Sequence, residues 1–243
     1  MYISKLLIHN YRSCRQLDID FEKDDPTIFI GINDCGKTTI LKAIGLLLDD
    51  KSIYHFVKDN SSKKDFSNSP LAREDFLKVI SDLHLPEISY TGNETIIIGK
   101  FIFEDQDIDT ENLATYTSQL LWAIENSPDS SLWLAKIYDS TNSNSKTLLL
   151  LPDYVENSKE LNAWNFGVRE LDNKIKELKI TSGEIENLNG RGRFSNLEKL
   201  RAIYSKLNHQ LLWSNYKIDK GDKTVFPIFR YLDWNTSLED IKK

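Results

Sequence analysis

The strongest constraint on the fold is a stretch near the N-terminus that joins an apolar run to two spaced glycines. Residues 27–30 are apolar or β-branched, Gly31 follows, and Gly-Lys-Thr stands at 36–38. The run predicts a strand, and the helical spacing of apolar residues over 40–48 predicts a helix. Strand, glycine-rich loop and helix in this order form a P-loop, which holds nucleotide phosphates. The full eight-residue spacing favours a P-loop over a chance glycine-rich turn.

Each residue type in the loop has a physical role in holding phosphate. Gly31 and Gly36 let the backbone turn tightly and bring its N–H groups close to phosphate oxygens. The loop ends at a helix N-terminus, where the dipole and unpaired N–H groups favour an anion. Lys37 is expected to reach the β and γ phosphates, and the Thr38 hydroxyl is expected to ligate Mg²⁺. The loop therefore predicts a nucleoside triphosphate with Mg²⁺ as the bound group, and no base-reading motif separates ATP from GTP.

The composition is that of a globular chain and limits its location and partners. The 243 residues are 40% hydrophobic and 11% aromatic, enough for one large domain or two small ones. No apolar run has the length of a membrane span, and the N-terminus alternates unlike a signal peptide. We expect a cytoplasmic protein with no membrane partner and no disulfide between Cys14 and Cys35. A net charge of −6 argues against a surface devoted mainly to nucleic acid.

Alternating apolar and polar residues ahead of the P-loop predict a β-hairpin. Its strands are expected at residues 2–9 and 17–22, joined by a turn that contains Asn-Tyr-Arg-Ser at 10–13. His9 and His55 have no companions at metal-ligand spacing and are predicted to be ordinary exposed or half-buried side chains. A hairpin before the P-loop is unusual for small nucleotide kinases, which tend to start directly on the P-loop strand.

The remaining chain predicts alternating helices and strands around a mixed sheet, in an α/β fold. Further elements are expected as a helix at 71–85, a strand at 94–104, a helix at 110–126, a β-hairpin at 131–138 and 146–154, helices at 161–179 and 196–216, a strand at 225–231 and a helix start at 233. The predicted organisation is a single segment: residues 1–50 as hairpin, P-loop and helix, 90–155 as strands and hairpin, 158–217 as a helical insertion, and 224–243 as a strand and helix start.

The N-terminal pattern resembles the start of a known group of ATPases. A leading strand, Asn-aromatic-Arg-Ser, an alternating strand, and Gly-x-Asn-x-x-Gly-Lys-Thr before a helix are similar to the ABC-type ATPase heads of the SMC, RecF and OLD (overcoming lysogenization defect) families. Asn33-Asp34 resembles the OLD branch most. The matching residues run from 1 to about 49, and beyond them the resemblance is one of order and texture.

The resemblance implies roles for residues that spacing alone does not assign. Asn33 and Asp34 lie where the family loops wrap the phosphates, and Arg12 corresponds to an arginine near the nucleotide or the region that senses it; a surface arginine in a hairpin turn is the alternative. ABC heads place a glutamine after a strand to contact Mg²⁺, which suggests Gln106, although its acidic neighbours favour a solvated turn. The nucleotide-binding candidates are Gly31, Asn33, Asp34, Cys35, Gly36, Lys37, Thr38, Thr39 and Arg12, and the metal candidates are Thr38 and Gln106.

Two other parts of an ABC head have no convincing counterpart in the sequence. The run ending at Asp153 suggests a Walker B strand, but Pro152 and Tyr154 interrupt the pattern and favour a β-hairpin. The segment 181–184 lacks the second glycine of the ABC signature. We therefore expect catalytic residues to come from elsewhere, because the chain is either the N-terminal part of a longer protein or works with a second polypeptide.

The resemblance implies an ATPase head that dimerises on binding Mg-ATP, with hydrolysis completed by a missing part or a partner. It also implies coupling to DNA processing or antiviral defence against phage, with DNA and a nuclease or effector as further partners. Two alternatives remain open: a non-hydrolysing nucleotide-binding scaffold that docks a nuclease or toxin, and a self-sufficient small NTPase or nucleotide kinase.

Overall fold

Six strands form one sheet at the centre of the fold. The computed structural model describes residues 1–30, 36–48, 65–67, 69–104, 107, 117–127, 131–139, 145–154, 167–185, 189–190, 192–206, 209–216 and 226–227. The strands are β1 (Tyr2–Tyr11), β2 (Cys14–Asp20), β3 (Glu94–Ile102), β4 (Ser131–Asp139), β5 (Ser145–Tyr154) and β6 (His209–Asn215). Their order is β2-β1-β3-β4-β5-β6, and every pairing in the described sheet is antiparallel. The expectation of a mixed sheet is therefore wrong for this part of the chain.

The structure describes five helices around the sheet. They are α1 (Lys37–Leu48), α2 (Arg73–Asp82), α3 (Ser118–Glu125), α4 (Val168–Glu177) and α5 (Arg193–Ser205). Helix α1 contacts β1, β3 and β4, whereas α5 contacts both α3 and α4. No helix in the described ranges has the length and apolar character needed to cross a membrane.

The period-two alternation of strand side chains divides the core between the two faces of the sheet. One face carries Leu6, Ile8 and Ile97 in the cluster that includes α1, α3, α4 and α5. The other face carries Leu7 and Ile98 in a second cluster with residues of α2. Because β3 is covered on both sides, its sequence is a nearly continuous apolar run rather than an alternating one.

Most predicted elements are confirmed where the structure describes them. The first hairpin is β1 and β2, the second is β4 and β5, and helices occur within the expected ranges for α1, α2, α3 and α4. The hairpin interpretation of the segment ending at Asp153 is confirmed, because β5 lies antiparallel between β4 and β6. The expected strand at 225–231 falls largely outside the described residues.

The strand predicted at residues 27–30 is wrong. This segment is not in the sheet, and its side chains Ile28 and Ile30 are 74% and 90% exposed. The β-branched run has the local propensity of a strand, but a strand also needs a paired neighbour. Since the described sheet ends at β2 and β6, residues 27–30 have no neighbouring strand within it.

The helix predicted over 196–216 is correct only in its first part. Helix α5 ends at Ser205, and residues 209–215 form β6 on the edge of β5, from Tyr154 opposite His209 to Leu148 opposite Asn215. Strand β6 is fixed further by Trp213, whose Nε1 donates to the Pro86 carbonyl at 2.9 Å. The leucine spacing fits a helix, but the open edge of β5 decides the outcome. The predicted helical insertion at 158–217 thus contains a strand.

Gly99 allows α1 to lie close to the sheet. A Cβ atom at this position of β3 would lie 2.5 Å from Leu47 Cδ2 and 3.0 Å from the ring of Phe101. Both neighbours are fully buried, so neither side chain has room to move away. The position of α1, and with it the P-loop lysine at its first residue, therefore depends on the absence of a side chain at 99.

We predict that Gly99→Ala lowers the free energy of unfolding by about 1–3 kcal/mol, because it overpacks the contact between β3 and α1. Chemical denaturation followed by far-UV circular dichroism measures the change. Gly183→Ala is the matched control, since the nearest atom to a Cβ there is Thr181 Oγ1 at 3.8 Å; it should alter stability by less than about 0.5 kcal/mol. Equal stability of the Gly99 variant and the parent would contradict the packing argument.

Candidate phosphate-binding site

The N-terminus of α1 has the backbone geometry that the P-loop pattern requires at its second glycine. Gly36 has φ +96°, in the left-handed region that favours glycine, and its carbonyl accepts from the Ile40 N–H at 3.1 Å. Gly36 is therefore the residue that caps α1. The helix offers no internal acceptor to the N–H groups of its first turn, so these groups suit an anion.

The side chains of the first turn differ in accessibility. Lys37 is half-buried and Thr38 is exposed, whereas Thr39 is only 7% exposed. A lysine and an exposed hydroxyl at successive positions fit a phosphate and its Mg²⁺, with the lysine supplying charge and the hydroxyl a metal ligand. Thr39 contributes to such a site through its backbone.

Several predicted site residues lie outside the described part of the chain. These are Gly31, Asn33, Asp34 and Cys35 of the loop, the metal candidate Gln106, and His55. Their roles remain predictions. Within the described ranges, no group of three or more His, Cys, Asp or Glu side chains is placed to hold a metal ion.

The turn between β1 and β2 lies directly against Gly36. A Cβ built on Gly36 would be 3.5 Å from Ser13 Oγ and 3.6 Å from Cys14 Sγ, which are ordinary contact distances. The structure thus brings the Asn-Tyr-Arg-Ser turn and the end of the P-loop together, although Gly36 comes 22 positions after Cys14 in the sequence. Burial raises the pKa of the Cys14 thiol, so this sulfur remains a neutral packing group at neutral pH.

The backbone of the turn is held in an unusual conformation. Asn10 and Arg12 have φ values of +54° and +51°, a region that side chains other than glycine rarely adopt. A short segment, residues 65–67, stabilises the turn: Arg12 N–H donates to the Asp65 carbonyl at 2.9 Å and Ser67 N–H donates to the Asn10 carbonyl at 3.2 Å. An isolated β-bridge joins Tyr11 to Phe66 between these two bonds.

Arg12 and Tyr11 form a compact pair in this turn. The Arg12 guanidinium lies over the Tyr11 ring at 5.5 Å from its centroid, and its Nε donates to Asp65 Oδ1 at 2.5 Å. Burial, together with the negative charge of Asp65, raises the pKa of Tyr11 well above its usual value. Tyr11 therefore stays a neutral phenol, and Arg12 is the cation of the turn.

A buried polar network holds the end of β1. Asn10 Oδ1 accepts from the Leu71 N–H at 2.8 Å, and the Asn10 carbonyl accepts from Thr95 Oγ1 at 2.7 Å. Asn10 Nδ2 lies 2.9 Å from His9 Nε2, and His9 Nδ1 lies 2.8 Å from Gln16 Oε1. A neutral His9 protonated on Nδ1 satisfies both contacts, accepting from the amide and donating to Gln16.

The environment of His9 corrects a prediction. His9 is 1% exposed rather than exposed or half-buried, and burial lowers its pKa below the usual histidine value, partly opposed by the bond to Gln16 and the charge of Asp75. Its ring packs against Phe76 and Tyr90. Alternate residues of a strand share a face, so His9 lies on the same face as the buried Leu7. This pattern is the sequence feature that could have predicted the burial of His9.

Comparison with known proteins gives the family. The AAA ATPase domain family matches the chain over residues 1–240. The chain belongs to this family. Membership confirms the coarser expectation of an α/β P-loop ATPase domain, and ATP binding and hydrolysis are the activity that the family implies. It leaves the OLD branch, DNA and phage defence as interpretations.

Two further comparisons do not extend the assignment of this AAA ATPase domain. A search of curated proteins found no match. A solved structure from work on the ATP-driven dimerization and DNA-stimulated activation of SMC ATPases is similar to it, with 16% identity, coverage of 100% of this chain and 96% of that chain, and a TM-score of 0.39. A TM-score this low carries no conclusion about shared function.

The buried His9 predicts a pH dependence of stability in this AAA ATPase domain. Since its pKa is lowered in the folded state, the unfolded chain binds the proton more readily, and stability falls as the pH drops from about 6.5 toward the folded pKa. We expect His9→Asn to reduce this acid-side slope, measured by urea denaturation between pH 7 and 5.

His84→Asn is the control for this measurement. His84 is exposed and has φ +55°, a conformation that asparagine tolerates, so the variant should retain the parent slope. An unchanged slope in the His9 variant would show that protonation of His9 does not cause the pH dependence of stability.

Proposed function

We propose that this AAA ATPase domain binds Mg-ATP at the N-terminus of α1. The observation that carries the proposal is the joint placement of Gly36 at φ +96°, Lys37 at the first helical residue, and the Arg12 turn against Gly36. The loop amides and Lys37 hold the triphosphate, and Thr38 ligates Mg²⁺, which neutralises charge on the phosphate oxygens. Arg12 supplies a second positive charge beside the same loop.

We further propose that ATP occupancy drives dimerisation of two such domains. The N-terminal resemblance to SMC, RecF and OLD heads supports this step. A second domain would provide charge stabilisation and a positioned water for hydrolysis, which Lys37 and Thr38 do not supply by themselves. Coupling to DNA processing or antiviral defence rests on the same resemblance.

The apolar segment ahead of the loop supports completion by another segment or polypeptide. Ile28 and Ile30 are the two most exposed large hydrophobic side chains among the described residues. Two large apolar side chains exposed two residues apart are a surface that an added element would cover. A strand added beside residues 27–30 would bury both isoleucines. Residues 27–30 would then form the strand that precedes the loop in the P-loop pattern.

One of the alternatives loses support from the fold, and the other stays a candidate. A self-sufficient NTPase requires a Mg²⁺ carboxylate at the end of a strand beside the P-loop. Asp153, the candidate for that role, lies on β5 between β4 and β6, whereas α1 lies over β1, β3 and β4. The non-hydrolysing scaffold is distinguished from an ATPase by turnover.

The first test is calorimetric titration of ATP with Mg²⁺ into the chain. We expect a single site in the parent and at least about tenfold weaker binding in Lys37→Ala, because hydrogen bonds to charged groups contribute about 1.5–3 kcal/mol. Lys78→Ala, on the exposed side of α2, is the control and should bind ATP as the parent does. Equal binding by parent and Lys37→Ala, or none by the parent, would contradict the proposed site.

The second test asks whether bound ATP changes the oligomeric state. Sedimentation velocity with Mg-ATP should show a dimer for the parent and a monomer for Lys37→Ala at the same protein concentration. ATP turnover per chain should rise with protein concentration, because catalytic groups come from the second domain. A monomer that binds ATP without turnover would favour the scaffold alternative.

A further inference from the structure

A buried carboxylate stands beside the cation of the β1–β2 turn. The side chain of Asp65 is 1% exposed, and its Oδ1 accepts from Arg12 Nε at 2.5 Å, whereas the side chain of Arg12 is 29% exposed. Removing a carboxylate from water is costly unless it is paired with a cation and hydrogen-bonded. The ion pair with Arg12 offsets part of the cost of burying Asp65, so the two side chains depend on each other.

The contact holds Arg12 without using all of its donors. A guanidinium carries five N–H groups, and among the described residues the bond from Nε to Asp65 and the side-chain hydrogen bond with Tyr11 use only part of this set. The Arg12 side chain also remains partly accessible to solvent, at 29% exposure. An anion that approaches the turn can thus be met by an arginine whose orientation is already fixed.

Asp65 fixes the backbone of Arg12 as well as its side chain. The Asp65 carbonyl accepts from the Arg12 N–H at 2.9 Å, so both ends of Arg12 are held by one residue. Arg12 has φ +51°, and a non-glycine residue persists in this region only when its surroundings enforce it. The bridge from Tyr11 to Phe66 and the bond from Ser67 to Asn10 attach the two residues before Arg12 to the same segment.

The next two residues of the same turn touch the P-loop. Ser13 and Cys14 lie against Gly36, which directly precedes the helix carrying Lys37. A turn fixed in this way places its arginine one residue from the contact with the loop. The segment that fixes the turn comes from elsewhere in the sequence, and no sequence motif marks Asp65.

We propose that Asp65 is a positioning residue for nucleotide binding: it holds Arg12 in the conformation in which the guanidinium assists Lys37 in binding the triphosphate. This proposal rests on the ATP site proposed above and adds to it a residue that does not touch the nucleotide. The opposite arrangement is one in which Asp65 sequesters Arg12 and its negative charge repels ATP. The two arrangements predict opposite effects on ATP affinity when the Asp65 charge is removed.

A double-mutant cycle on ATP affinity tests the positioning role. Asp65→Asn, which keeps the shape but removes the charge, should weaken ATP binding roughly three- to tenfold, as expected for residues in one network. In an Arg12→Ala background the same substitution should have no further effect, because there is no guanidinium left to position. Asp18→Asn, which removes a partly exposed carboxylate paired with Lys5 on the same hairpin, is the control and should leave affinity unchanged.

Thermal unfolding of every variant separates positioning from loss of structure. Should Asp65→Asn fail to fold, Arg12→Lys replaces it, because lysine keeps the charge but lacks the Nε donor that Asp65 holds. That variant should then bind ATP as weakly as Arg12→Ala, and parent-like binding by it would overturn the proposal.

The outcomes distinguish this inference from the proposed function. Loss of ATP binding in Lys37→Ala with parent-like binding in Asp65→Asn overturns the positioning role alone. Tighter binding in Asp65→Asn shows sequestration and also overturns it, as does an equal loss with and without Arg12. No ATP binding by the parent overturns the proposed site and this inference together.

Discussion

The candidate site depends first on the hydrogen bonds of the buried Asn10. Its side chain and backbone together join the end of β1 to Leu71, Ser67, Thr95 and His9. Each such hydrogen bond contributes only about 1 kcal/mol in net terms, but a buried donor or acceptor left unpaired costs more. Because breaking one of these hydrogen bonds leaves a buried polar group unpaired, the bonds of Asn10 persist together. They also hold the turn that contains Arg12 with its left-handed backbone.

The two-sided core supplies the rigid support for this junction. Strands β1 and β3 bury side chains on both faces, with α1 on one face and α2 on the other. Helix α1 approaches the sheet closely at Gly99, while Tyr138 on β4 donates its hydroxyl to the Leu46 carbonyl near the other end of α1 at 2.9 Å. Helix and turn are thus fixed to the same sheet, which sets the distance between Gly36 and Ser13.

Local sequence patterns predict an element correctly where its tertiary contacts favour the same secondary structure. The first hairpin, α1 and β3 follow from alternation, helical spacing and β-branched content, and tertiary packing adds nothing that conflicts. Residues 27–30 have the same β-branched character but no strand beside them in the described sheet. Residues 209–215 have leucines at helical spacing but lie next to the open edge of β5. In both cases the deciding term is pairing with a distant strand, which no local pattern contains.

The same division applies to the candidate site. The P-loop glycine, Lys37 and Thr38 are candidates because phosphate binding fixes their spacing, and Arg12 is a candidate because of a resemblance. The residues that surround Arg12 could not be predicted from the sequence. Asp65 is 53 residues away in sequence, and an aspartate in a polar stretch gives no sign that it will be buried beside a guanidinium. Similarly, the burial of His9 depends on Phe76 and Tyr90, which reach it from distant segments.

This arrangement bears on the cost of binding a triphosphate. A flexible arginine loses about 2 kcal/mol of side-chain entropy when it is immobilised, which subtracts from the affinity it provides. In the proposed site this cost is met during folding, because Asp65 and Tyr11 order Arg12 before any nucleotide arrives. The strained φ of Arg12 is likewise established by the fold. In this proposal the Arg12 charge is preorganised, and more of its attraction for phosphate remains available as binding free energy.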